Sequence, residues 1–238
     1  MSFDRVARAY CWLETIVFGS ALQNARTYWI NEIPPPKRVL IVGEGNGRFL
    51  CELLRLYPKV EIDCIDASGR MLELARARVR RLCPDSLASV RFFHLDVLRW
   101  SPSNSYDLLV THFVLDCFSA EQVEEIVVKL AQAARPAAVW LIADFTIPRR
   151  RFARMHAQFW LQIMYAFFRA SAAIPAKKLV DPSPYLQNNG FVCWFRKLSR
   201  YGMLKSELYL AQNPETERPI TGVRNSLRPR KVASKAIE

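Results

Sequence analysis

The apolar positions of this chain change period along its length. From Phe3 to Ile30 they recur at the spacing of one helix face, and the run stops before Pro34-Pro35-Pro36, which imposes an extended backbone. Short continuous apolar runs follow at 39–42, 60–65, 90–95, 107–112 and 138–145, and helical periodicity returns between them near 47–57, 69–82 and 120–134. Pro58, Pro84 and Pro136 each follow a helical run, and Ser119-Ala120-Glu121-Gln122 has the spacing of a capping box. Strands that alternate with helices predict an α/β fold: a Rossmann-like, mostly parallel sheet with helices on both faces. After Pro148 a long apolar helix is expected over 149–176. The runs Phe191 to Leu198 and Leu204 to Ala211, set off by Asn189-Gly190 and Tyr201-Gly202, predict a C-terminal antiparallel hairpin. The reading is therefore an N-terminal helical segment over 1–36, a main domain over 37–212, and a basic tail over 213–238 that is expected to be disordered.

One strand end carries chemistry. Val39-Leu40-Ile41-Val42 runs into Gly43-Glu44-Gly45-Asn46-Gly47 and then into the helical run from Phe49, while the next strand ends in Asp66. A glycine turn between strand and helix lets backbone N–H groups approach a ligand, and a carboxylate at the second strand tip can hold ribose hydroxyls. The unit therefore reads as a nucleoside site. A dinucleotide fingerprint needs Gly-x-Gly-x-x-Gly, and its third glycine position is Arg48 here.

Charge widens the list of partners. The formal charge of +12 implies attraction to nucleic acid, an anionic membrane surface or an acidic substrate. The six cysteines form no Cys-x-x-Cys pair and have no histidine at zinc spacing, so no metal site is expected, and reduced buried thiols are. Met1 to Tyr10 lacks the apolar core of a secretory leader, and a cytoplasmic location is expected. Arg76, Arg78, Arg80 and Arg81 read as a solvated helix face.

The tight Gly43-x-Gly45-x-Gly47 spacing, with Asp66 after it, resembles the first motif of the class I S-adenosylmethionine-dependent methyltransferases. Leu95-Asp96-Val97 is similar to the motif of that family whose acidic residue faces the adenine amino group, and Tyr106 to Phe113 resembles its fourth-strand motif. Within the family, Phe3-Asp4-Arg5-Val6-Ala7-Arg8-Ala9-Tyr10, Asp144-Phe145-Thr146-Ile147-Pro148 and the Leu186 to Phe191 turn resemble the ubiquinone and menaquinone C-methyltransferase branch. The resemblance implies S-adenosylmethionine as cofactor, bound by Gly43, Glu44, Gly45, Asn46, Gly47, Asp66, Ala67, Met71, Asp96, Val97 and His112, under a closing N-terminal segment. The chain also departs from the pattern. Ile41 stands where many members carry an acidic residue, with Glu44 as a nearby carboxylate, and Asp116-Cys117 stands where quinone enzymes carry Arg-Asn.

Methyl transfer from a sulfonium asks the protein to align two reactants, exclude water and remove a proton where the acceptor needs it. Candidate catalytic residues are His112, the best base by intrinsic pKa, Asp116 and Tyr10; Phe113, Asp144 and Phe145 are candidates for the acceptor site. The run after Pro148 opens with Arg149-Arg150-Arg151 and carries one narrow polar stripe, and it is too interrupted to span a bilayer. It reads as a cover for a lipophilic acceptor, a peripheral membrane contact, or an ordinary buried helix. Three functions follow: methylation of a small, lipophilic or aromatic acceptor; methylation of RNA or protein; or a non-catalytic binding protein. The first is favoured, because no nucleic-acid module is visible.

Overall fold

The computed structural model describes residues 19–148 and 179–212. The N-terminal Phe-Asp segment with Tyr10, the run from Arg149 to residue 176 and the basic tail lie outside those residues. The described chain opens on α1 (Ala21–Thr27) and enters a seven-stranded sheet through β1 (Arg38–Val42). Next come α2 (Arg48–Leu56), β2 (Glu61–Asp66), α3 (Gly69–Leu82), β3 (Val90–His94), β4 (Tyr106–His112) and α4 (Ala120–Gln132). The chain closes with β5 (Ala134–Phe145), α5 (Ser183–Asn188), β6 (Phe191–Ser199) and β7 (Leu204–Ala211).

The strand order is β3-β2-β1-β4-β5-β7-β6; the first five strands pair in parallel, and β7 runs antiparallel to β5 and to β6. The expected parallel sheet and closing hairpin are both present. Central strands are apolar without alternation because helices or loops cover both faces. On one face Ile41, Cys64, Val110 and Leu141 pack against Phe49, Leu50 and Leu53 of α2 and Leu72 and Val79 of α3. On the other, Leu40, Ile65, Trp140 and Tyr209 pack against Val123, Ile126 and Leu130 of α4 and Leu186 of α5.

The helix starts are set locally. Ser68 caps α3 by accepting from the Met71 N–H at 3.2 Å. Ser119 and Gln122 close the expected capping box on α4, so two otherwise unpaired donors are satisfied reciprocally. One boundary differs from the sequence reading: β5 begins at Ala134, four residues before the expected start. Its partners jump from Tyr106↔Ala134 to Leu108↔Val139, and Ala137 has φ 61°. Pro136 thus sits in a bulge and breaks the ladder without ending the strand.

Candidate functional site

Strand order reverses between β1 and β4: from β1 the chain moves outward through β2 and β3, then returns to place β4 on the other side. The carboxyl ends of these strands therefore splay apart into a crevice, the usual ligand position of an open α/β sheet. The glycine loop, Asp66 to Ser68, Leu95 to Val97, and Phe113 to Asp116 all follow strand ends at that edge.

The loop geometry is specific at two glycines. Gly47 is the N-cap of α2 with φ 82°, and a Cβ built there would meet the Ala75 Cα at 2.8 Å, so α2 and α3 touch through bare backbone. Gly45, with φ 71°, has no described residue within 4 Å of its Cβ direction. Its N–H donates to Asp66 Oδ2 at 3.1 Å, while the Ser68 N–H donates to Asp66 Oδ1 at 2.9 Å. The Asp66 carboxylate is thus already aimed across the crevice at the loop.

The other cofactor candidates are arranged around this pair. Asn46 is half-buried in the loop, Ala67 is exposed just past Asp66, and Met71 is buried in the first turn of α3. Asp96 is exposed and accepts from the Leu98 N–H at 3.0 Å, capping a short 3₁₀ turn from Val97, which is buried. Glu44 Oε1 accepts from the Leu50 N–H at 3.0 Å. Burial pushes the Glu44 carboxyl up to about 7, against the lowering effect of that N–H and of Arg26. Ile41 is 1% exposed in the apolar face between β1 and α2, which explains why no carboxylate stands there.

His112 ends β4, and its ring meets the edge of Phe49 at 4.6 Å. Burial, helped by the charge of Arg26, holds its pKa well below 6.5, so the ring is neutral and a poor proton acceptor. Intrinsic pKa alone gave the opposite ranking. Phe113 follows at φ 55°, a left-handed conformation that bulky residues adopt at a cost of order 1–3 kcal/mol and that recurs at functional sites. Its ring lies 5.1 Å from that of Phe145 and 5.1 Å below the Arg26 guanidinium.

Asp116 and Asp144 are 4% and 1% exposed. Burial raises Asp116 to about 6 and raises Asp144 well above the ordinary range, with the charge of Asp116 adding to the effect on Asp144. Asp144 Oδ1 accepts from the Phe145 N–H at 2.8 Å, and Asp144 faces Lys205 across the β5–β7 ladder. The Cys117 thiol lies 3.6 Å from Asp116 Oδ1, and burial together with that carboxylate keeps it protonated. Tyr10 lies outside the described residues. Two further residues at the edge, Gln23 and Arg26, were not singled out from the sequence. Their available signal was position: they sit three apart on α1, beside the apolar pair Leu22 and Ala25.

Residues 40–139 match a family model described as a methyltransferase domain. The malonyl-[acyl-carrier protein] O-methyltransferase of Halalkalibacterium halodurans is 30% identical over 114 residues, which cover 46% of this chain and 40% of that protein. The polyamine aminopropyltransferase 2 of Bacillus anthracis is 33% identical over 93 residues, covering 35% of this chain and 25% of that protein. The chain thus spans two fifths or less of these curated relatives. Among solved structures, an O-methyltransferase family protein from Burkholderia thailandensis superposes with TM-score 0.64 at 18% identity, covering 83% of this chain and 58% of that one. A mitomycin 7-O-methyltransferase gives 0.65 at 14% identity, covering 89% and 61%. These two show a shared fold.

Proposed function

We propose that this chain is a class I S-adenosylmethionine-dependent methyltransferase, consistent with the methyltransferase-domain match over residues 40–139, and that it transfers a methyl group to a small lipophilic or aromatic acceptor. The observation that carries the reading is the Gly45–Asp66 pair, a loop glycine with no described residue against its Cβ direction and a carboxylate held across from it. The crevice fits the donor in its parts. Asp66 can take ribose hydroxyls, Asp96 can accept from the adenine amino group, and Met71 and Val97 offer apolar surface to the ring. When bound, the donor supplies a methyl group already activated on a sulfonium.

The chain's own work is then alignment, exclusion of water and proton handling. Phe113 and Phe145 form the apolar wall beside the strand ends and suit an aromatic or aliphatic acceptor. Asp116 is the proton acceptor in this reading. At neutral pH its carboxyl, at about 6, is mostly ionised yet poorly solvated, so it takes a proton from an acceptor hydroxyl more readily than neutral His112 would. Burial and the charge of Asp116 push the Asp144 carboxyl well above its ordinary range, which favours its protonated form as a hydrogen-bond donor to the acceptor. The relative described as a malonyl-[acyl-carrier protein] O-methyltransferase supports an oxygen acceptor as the first class to screen.

Calorimetric titration with S-adenosylmethionine tests the donor. Asp66→Ala is expected to weaken binding by about 1–3 kcal/mol, the range for charge-assisted hydrogen bonds. Equal affinity in the variant would move the site elsewhere.

A peripheral membrane contact belongs to the same reading, resting on the sequence of Arg149-Arg150-Arg151 and the apolar run behind it. Ile147, just before it, is 42% exposed, and Tyr201 at the neighbouring hairpin turn is 90% exposed. Vesicles containing anionic lipid should co-sediment with the protein, and replacing the three arginines with serine should release it. Absence of co-sedimentation at moderate salt would restrict that segment to covering the acceptor.

A further inference from the structure

We propose that Lys205 is a positioning residue for proton removal: its ammonium is the counter-ion of the Asp116–Asp144 pair and acts on the acceptor through those carboxyls. This role rests on the methyl-transfer reading above.

Lysine and glutamate are almost never buried without partners, yet Lys205 is 7% exposed and Glu207 is fully buried. Both lie on β7, and the β5–β7 ladder fixes where they point. Trp140 and Tyr209 are register partners and belong to the same packed face. Asp144 and Lys205 are register partners four residues away on each strand, so strand alternation puts them on that face as well. Directly opposed side chains on one face have Cβ atoms about 4.5–5.5 Å apart, which sets Lys205 beside Asp144 at the carboxyl end of β5.

The surrounding charges show which carboxyl depends on this ammonium. From β6, Arg196 pairs with Glu207 Oε1. Lys205 Nζ lies 3.1 Å from Glu207 Oε2 but is not aligned to donate to it. Before α5, Asp181 Oδ1 accepts from Lys205 Nζ at 3.4 Å, but Asp181 is largely exposed and also takes the Ser183 N–H and hydroxyl. Burial keeps the Cys193 thiol of β6 and the Tyr209 hydroxyl of β7 protonated, as it does Cys117 beside Asp116. Asp116 and Asp144 are left. The charge of Lys205 acts on Asp144 against burial and against the charge of Asp116. Two adjacent buried carboxyls resist ionising together, because each charge raises the cost of the other. One ammonium beside them balances one negative charge on the pair, and one such charge is what proton removal from an acceptor hydroxyl requires. The proton passes from the acceptor oxygen to the carboxylate, and Lys205 keeps its own.

Thermal unfolding of the full chain as a function of pH tests this without any ligand. Lys205→Met removes the charge and keeps the stem, whereas Lys205→Arg keeps the charge. Without the ammonium the folded pair holds its proton to higher pH, so the stability linked to that proton goes on falling above about 6, where the wild-type loss is complete. The Tm gap between wild type and Lys205→Met should be constant below about pH 5 and widen by about 3–5 °C by pH 8. Lys205→Arg should show no widening, and neither should Lys205→Met placed in an Asp144→Asn background. A gap that is the same at every pH would make Lys205 a structural partner only and overturn the role. So would a gap that survives Asp144→Asn and closes with Glu207→Gln. If Lys205→Met alone does not fold, Lys205→Met with Glu207→Gln must show the same widening against Glu207→Gln, or the role falls. Failure of the wild-type chain to bind S-adenosylmethionine by calorimetry would overturn the methyl-transfer reading and this role with it, a result the melting curves cannot mimic.

Discussion

Gly47→Ala is expected to lower stability by about 3 kcal/mol and to abolish measurable donor binding, as read by denaturant unfolding and by calorimetry. Two effects add. A left-handed φ of 82° strains any residue with a Cβ, by roughly 1–2 kcal/mol. The added carbon would also stand 2.8 Å from the Ala75 Cα and 3.1 Å from its Cβ, and Ala75 is fully buried in α3. Backbone cannot rotate away as a side-chain tip can, so α2 and α3 must separate, and overpacking of this kind typically costs about 1–3 kcal/mol. Gly45→Ala is the control. Its φ of 71° carries the same strain but no described residue lies within 4 Å, so stability should fall by only about 1 kcal/mol while donor binding falls as far as in Gly47→Ala. If the two variants are equally destabilised, the α2–α3 contact is not what demands a glycine at 47.

The sheet was legible because its strands are apolar on both faces and its helices carry their own punctuation. Ser119 and Gln122 cap where the sequence places them, and β1, β2 and β4 fall within a residue of the apolar runs. The start of β5 was not, because proline normally marks an end, and only the partner strand reveals that Pro136 occupies a bulge. The glycine loop and Asp66 were legible for a similar reason: their spacing is local, within one strand-turn-helix-strand unit. Gln23 and Arg26 depend on how α1 docks across the carboxyl edge, a contact over more than twenty residues that no local pattern encodes.

His112 shows the other limit. Histidine is the side chain whose unperturbed pKa best suits a base near neutrality, so composition ranks it first. Burial against Phe49 and the positive charge of Arg26 both disfavour its protonated form, and neither is visible in Thr111-His112-Phe113 read as letters. The same burial acts with opposite sign on carboxyl groups, raising Asp116 and Asp144. One dry environment thus disarms the histidine and moves an aspartate toward the range in which a base works at neutral pH.

Asp116→Asn should therefore make the protein more stable at pH 8 and less active. The folded value, about 6, lies above the ordinary 3.8, so the proton is held more tightly in the folded state. The stabilising contribution of that held proton is complete below 3.8 and is lost as the pH rises through about 6. At pH 8 the buried ionised carboxylate then costs about 3 kcal/mol relative to a neutral group, and asparagine of the same shape removes most of that penalty. For a chain of this size the gain corresponds to a rise of roughly 5 °C in Tm at pH 8, shrinking toward zero at pH 4. Asp144 is raised in the same direction, by burial first and then by the charge of Asp116, and it is left unchanged in this variant. Turnover on an acceptor that must lose a proton should drop by about 10²–10⁴-fold, the usual contribution of a positioned base, with donor affinity within about twofold of wild type. A melting point unchanged at pH 8 would mean that Asp116 is solvated and has no raised value to explain. Higher stability with undiminished turnover would instead separate the two roles and return proton removal to the acceptor's own acidity. A buried carboxylate that destabilises the fold at working pH persists where its charge serves the chemistry, and the opposed signs of these two measurements are what that trade-off requires.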